Sequence, residues 1–282
     1  MVRRVIRLLQ RVAILGLGAL SIWLIVDVFK FVDHRLPPIL ALSVAYAIGA
    51  YLILPNAVRM GLKIQRARHV PSFTITGDGL PGDPINVALA GTFQQLRDAF
   101  AAAGWVEADR LTLESSWRMV KAFVLNEPYP TAPFSTLYLF GRGQDIGFQK
   151  AIDNSPRKRH HIRFWAQGLD YAQANANTLD FWLNTDRPGE EERVLWIGAG
   201  TRDTGFSLTR LTFQITHATD PDTDIEREFI VSELTRCGAI AGARLYRAGD
   251  QVKTGRVNHY VTDGDVAIAE IAIAARRPKN TI

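Results

Sequence analysis

The chain has 282 residues, 47% apolar, 10% aromatic and 22% charged, an ordinary globular composition that excludes a disordered, collagen-like or disulfide-built protein. Its net charge of +5 is uneven: residues 1–68 hold 10 Lys and Arg against 2 acids, which leaves 23 against 26 beyond them. The larger part therefore has no electrostatic reason to bind nucleic acid.

Val12 to Val26 carries no charge, and the apolar run continues past Asp27 and Lys30 to Val32, about the ~20 residues that a helix needs to cross the hydrocarbon core. A second run, Leu36 to Val58, is free of charge over 23 positions and places Ala41, Ala45 and Gly49 at four-residue spacing, a ladder that lets two helices approach closely. Only Asp33, His34 and Arg35 separate the runs before Pro37 and Pro38, which predicts an antiparallel two-helix transmembrane hairpin over residues 1–70. Arg3, Arg4, Arg7 and Arg11 precede it and Arg59, Lys63, Arg66 and Arg68 follow it, against Lys30 and Arg35 in the turn. The positive-inside rule then puts both termini in the cytoplasm and makes the lipid bilayer a partner. Arg59, Lys63 and Arg66 share a helix face, read either as a topology anchor or as a seat for anionic headgroups.

Residues 71–84, with Gly77, Gly79, Pro81 and Gly82, read as a linker or a short edge hairpin, and the soluble domain is predicted over 85–282. Thr92 and Gln95 have the spacing of a capping box, with Gly104 as the stop of the helix that follows. A second helix is predicted from Thr112 to Leu125, ending before Pro128. Strands are predicted over Thr136–Phe140, Ile146–Ala151, His161–Ala166, Val194–Ala199 and Phe206–Thr216. Asp220-Pro221 is read as the start of a further helix, Thr223 and Glu226 as a second capping box, and Gly238 as its stop. Asp263-Gly264 carries the signal of a hairpin between Val257–Val261 and Val266–Ile273. Strands beside strands and grouped helices predict an α+β domain on a largely antiparallel sheet with a few packed helices. Trp105, Trp165, Trp182 and Trp196 are read as core, and the lone Cys237 as packed.

Five strings resemble the LssY C-terminal domain family of bacterial membrane proteins. They are Tyr129 to Pro133, Tyr138 to Asp145, His160 to Trp165, Trp196 to Asp203 and Thr216 to Asp222. The resemblance covers most of residues 85–235 and implies a domain at the inner (plasma) membrane of a bacterium. The family as known supplies no catalytic residue to carry over. This chain departs from larger members in having only a two-span hairpin in front.

Two constellations carry candidate chemistry. On a strand, alternation puts Arg159, His161 and Arg163 on one side and His160 on the other, so two guanidinium groups flank a histidine on a single face. That arrangement suits a phosphate or carboxylate, bound bidentately. His217, Asp220 and Asp222, with His160, offer nitrogen and oxygen ligands for a divalent metal, or groups for acid–base work, although acids before a helix are also explained by capping. No cofactor is otherwise expected. The leading reading is a membrane-anchored, cytoplasm-facing binding or accessory domain engaging an anionic lipid or a membrane protein partner. The alternative is a metal- or histidine-dependent phosphoester hydrolase, which requires these histidines and acids to converge.

Overall fold

A computed structural model describes residues 2–65, 70–125, 127–153, 158–167, 188–208, 215–249, 251–252 and 259–272. The N-terminal part is a helical hairpin. Helix α1 runs Val2–Asp33, α2 runs Pro38–Ile48, and a π-helical turn at Gly49–Ile53 leads into α3, Leu54–Gln65. Pro55 explains the wide turn: it lacks an amide hydrogen and its ring collides with the carbonyl four residues back, so the chain loosens just before it. Two helical stretches, Val5–Asp33 and Pro38–Gln65, are long and apolar enough to cross a membrane. The small-residue ladder forms the seam. Ala41, Ala45 and Gly49 are buried, and a Cβ at Gly49 would stand 3.3 Å from Ile25 Cγ1. At the far end Gln10 donates to the Ile64 carbonyl at 2.9 Å, tying the two arms together.

The rest is an α+β fold whose sheets are mostly antiparallel. Residues 71–84 take the edge-hairpin alternative rather than forming a linker: β1 (Phe73–Ile75) and β2 (Pro81–Pro84) pair, and β1 joins β5 (Tyr138–Leu139), which pairs β6 (Arg142–Gly143). This small four-stranded sheet covers one face of an eight-stranded sheet. The large sheet holds β3 (Val87–Gly91), β4 (Val106–Glu107), β7 (Ile146–Ala151), β8 (Arg159–Gln167), β9 (Val194–Leu208), β10 (Ile215–Thr219), β11 (Arg244–Arg247) and β12 (Asp265–Glu270). Its order is β11-β12-β3-β9-β8-β7-β4, with β10 beside β9 and, among the described strands, only the β12–β3 pair parallel.

Helices α4 (Phe93–Ala102) and α6 (Thr223–Arg236) cover the other face, and α5 (Leu113–Leu125) lies on the side of the small sheet. Phe100, Phe148, Phe164, Trp196, Ile230 and Leu234 fill the core under α4 and α6. Ile85, Leu137, Leu139, Trp165 and Ile197 fill the one under the small sheet. Trp105, Trp165 and Trp196 are buried as expected, while Trp182 lies outside the described residues. Cys237 packs on the helix end, its thiol donating to the Leu234 carbonyl at 3.3 Å.

Three local expectations are corrected. Phe206–Thr216 is not one strand, because Ile215 pairs Leu208 and Thr216 pairs Ser207, so the run doubles back between β9 and β10. Asp263-Gly264 turns the chain, Gly264 having φ +82°, but Val261 pairs Asp222 instead of the strand that follows. The cause is Arg227, which clamps the Asp263 carboxylate at 2.8 and 2.9 Å and fixes the turn to α6. Helix α6 begins two residues later than the Asp220-Pro221 start read from the sequence. Asp222 is its N-cap, accepting from the amides of Asp224 and Ile225, and Thr223 lies inside the helix. The capping box at Thr92 and Gln95 forms as expected.

Helix α3 does not merely precede the domain. Lys63 is buried, and the β5–β6 turn closes over it: a Cβ at Gly141, which has φ +77°, would stand 2.5 Å from Lys63 Cγ and 3.0 Å from its amide nitrogen. Lys63, one of the three cations read either as a topology anchor or as a seat for headgroups, is thus turned into the protein.

Candidate functional site

Strand β8 sits between β7 and β9 in a sheet packed on both sides, so its edges are paired and both of its faces are covered, and alternation divides its side chains as the sequence requires. Ile162 and Phe164 enter the core under α4 and α6. Arg159, His161 and Arg163 point the other way, toward the small sheet, each no more than 5% exposed. The two arginines do converge on anions, but the anions are the protein's own. Arg159 Nε donates to Asp203 Oδ2 at 2.8 Å, and Arg163 Nη1 donates to Asp83 Oδ2 at 2.6 Å. Burying a guanidinium without a carboxylate is prohibitive, so a strand with two inward arginines has to recruit two acids.

His161 lies between these pairs. Its Nε2 accepts from Arg163 Nη1 at 2.7 Å and faces Thr201 Oγ1 at 2.9 Å. Arginine only donates, so the lone pair is on Nε2 and the proton on Nδ1, which faces Asp203 Oδ1 at 3.2 Å. An imidazole whose lone pair is already taken by a guanidinium is not free to serve as a general base in this arrangement. Phe134 covers the cluster, its ring centre 5.0 Å from the Arg159 guanidinium carbon and 4.8 Å from that of Arg163, within the range of cation–π attraction. Gly147 makes room for this ring, since a Cβ there would come within 2.3 Å of it.

The network continues to Tyr260, which donates to Asp83 Oδ1 at 2.6 Å and accepts from Thr219 Oγ1 at 3.0 Å. Burial alone would raise the Asp83 pKa, but the Arg163 charge, then the neighbouring His161 and last the Tyr260 hydrogen bond outweigh it and hold the carboxyl below its ordinary value of 3.8. Tyr260 goes the opposite way. Burial, then the adjacent Asp83 charge, push its phenol well above 10.0.

Among the described residues the second group does not assemble. His160 faces α6, where its Nδ1 meets Glu226 Oε2 at 2.8 Å and its ring stacks on Phe229 at 4.0 Å, so it and His161 lie on opposite faces of the sheet. Asp220 accepts from the Asp222 amide at 3.1 Å, and Asp222 caps α6, so one oxygen of each carboxylate serves the chain turn. His217 stands in β10 opposite Phe206, and its side chain lies outside the described part. Phe206 is five residues past Thr201, the β9 partner of His161, or about 16 Å along the strand. Among the described residues no cluster of three His, Cys, Asp or Glu side chains is placed to hold a metal ion.

Sequence reasoning missed the counterions. Asp203 lay in one of the family-like strings, and an acid opposite Arg159 in the β8–β9 register is what the buried arginine demands. Asp83 was hidden among Gly and Pro in a stretch read as linker, and nothing local marks it. Asn86 was also missed. It bridges three elements, donating to the Gly200 and Thr223 carbonyls at 2.8 and 3.1 Å and accepting from the Gly200 amide at 2.9 Å.

Fold and site together describe an α+β domain with an internally neutralised ionic layer, packed on the end of a two-helix apolar hairpin. Residues 67–266 match the family described as the LssY C-terminus, and the chain belongs to that family. No curated protein matches the chain. No solved structure matches it either. The strings that carry the family resemblance meet in this layer and beside it: Arg142 pairs with Asp145, whose Oδ2 accepts from the Ala166 amide at 2.7 Å, next to Arg159, His161, Arg163 and Asp203.

Proposed function

We propose that the chain is a membrane-anchored, cytoplasm-facing binding or accessory domain, held at the inner membrane of a bacterium with both termini inside, and that it engages an anionic headgroup or a membrane protein partner. The observation that carries this reading is the seat of the β5–β6 turn on Lys63, which joins the second apolar helix directly to the family domain. A domain fixed to its anchor in this way is held at the bilayer surface instead of swinging on a tether. The basic residues on both sides of the hairpin support the inward orientation. Within the buried layer, an incoming phosphate would have to displace Asp83 or Asp203 from guanidinium groups with which they are already paired. We therefore assign Arg159, His161 and Arg163 to holding the small sheet on the large one, and assign contact with anionic headgroups to the outer surface. Reporter fusions after residue 70 test the orientation. Cytoplasmic signal is expected, and periplasmic signal overturns the localisation.

A further inference from the structure

Among its described side chains, helix α5 turns one side inward and exposes large apolar side chains on the other. Ser115, Met119 and Ala122 face the body, where Ala122 and Met119 pack with Tyr129 and Ala132. Leu113, Trp117, Lys121 and Leu125 form one stripe at four-residue spacing on the opposite side, and all four are exposed. Leu113 is 93% exposed and Trp117 72%, with exposed Leu111 just before the helix. A water-facing helix normally carries polar residues there, and a contiguous apolar surface on a soluble face signals contact with something else.

The position of the helix identifies the occupant. The segment after α5 runs through Phe134 into β5, and the β5–β6 turn rests on Lys63 at the end of the second apolar helix. Helix α5, the small sheet and the end of α3 therefore share one side of the large sheet, whereas α4 and α6 occupy the other. The stripe also has interfacial chemistry. Tryptophan prefers the headgroup level, and Lys121 beside it and Arg118 and Arg110 at the rim are exposed cations that reach phosphates while leucines enter the acyl boundary. Glu114 is confined to the first turn, where the helix dipole favours an acid.

We infer that α5 is a second membrane contact, an in-plane amphipathic helix whose Leu113, Trp117 and Leu125 enter the bilayer interface and dock the domain flat on the membrane. The inference rests on the membrane-anchored reading and adds the surface by which the domain meets lipid. Its test uses the full chain with Cys237→Ala, bearing a single bimane-labelled cysteine at Leu20, Leu113 or Ile225, in nanodiscs of phosphatidylcholine and phosphatidylglycerol with brominated acyl chains.

Leu20 lies within the first apolar helix, and Ile225 is exposed on α6, on the far side. Bromine is expected to quench the labels at 20 and 113 but not at 225, and adding Trp117→Glu is expected to abolish quenching at 113 alone. Quenching at 20 without quenching at 113 overturns the α5 contact and leaves the anchor intact, which is also the result if the stripe instead binds another protein. No quenching at 20 overturns the anchor itself. Equal quenching at 113 and 225, or at 113 with and without Trp117→Glu, also overturns the inference.

Discussion

At the scale of single residues, the buried ionic layer dictates how the protein responds to substitution and to pH. Arg163→Ala leaves Asp83 charged, buried and without its main partner, so unfolding free energy should fall by about 3 to 5 kcal/mol in a denaturant titration. Arg163→Met combined with Asp83→Asn removes both charges and should cost less than Arg163→Ala alone. A larger loss in the double variant contradicts the pairing. Asp83 has a depressed pKa in the fold, so the stability it adds is complete above its unfolded value of 3.8 and is lost as pH falls through the lower, folded value. Tyr260 is raised, so its contribution is complete below 10.0 and is lost as pH climbs toward the higher, folded value. Melting temperatures of Tyr260→Phe against pH should therefore lack part of the alkaline decline while keeping the acid one.

Between elements, two glycines mark contacts that tolerate no side chain. Gly141→Ala asks an L residue to hold φ +77° and drives a methyl against Lys63, so it should cost roughly 1 to 2 kcal/mol from backbone strain, with the clash in addition. Lys63→Ala added to it should recover only the clash, leaving the melting temperature in detergent below that of the native chain. In the hairpin, Gly49→Leu should separate α1 from α2, because even a Cβ there stands 3.3 Å from Ile25 Cγ1. A partial rescue by Ile25→Ala in the same melting assay is the expected signature, and no rescue would place the damage elsewhere.

For the whole molecule, the two cores and the ionic layer lie within residues 72–272, so fragment 72–282 should keep its sheets and melt cooperatively. Its melting temperature should nonetheless fall below that of the full chain in detergent, since removing α3 uncovers the β5–β6 turn that rests on Lys63. A fragment as stable as the full chain would show that the hairpin is only a tether. Loss of any cooperative transition would show that the domain has no independent fold.

What the sequence determined by itself was set by rules that act over a few residues. Uninterrupted apolar length defined the hairpin, spacing of four placed Ala41, Ala45 and Gly49 on its seam, and the Thr92 capping box fixed the start of α4. Alternation by two put Arg159, His161 and Arg163 on one face of β8. The tertiary structure alone decided whether that face meets water or protein. Asp203 and Asp83 stand 44 and 80 residues from the arginines they satisfy, and only sheet register and the seating of the small sheet bring them together. For the same reason the histidines could not be grouped from the sequence. His160 and His161 are neighbours in the chain, yet the pleat sends one to Glu226 and the other to Arg163, because adjacent strand residues face opposite sides of a sheet that is covered on both.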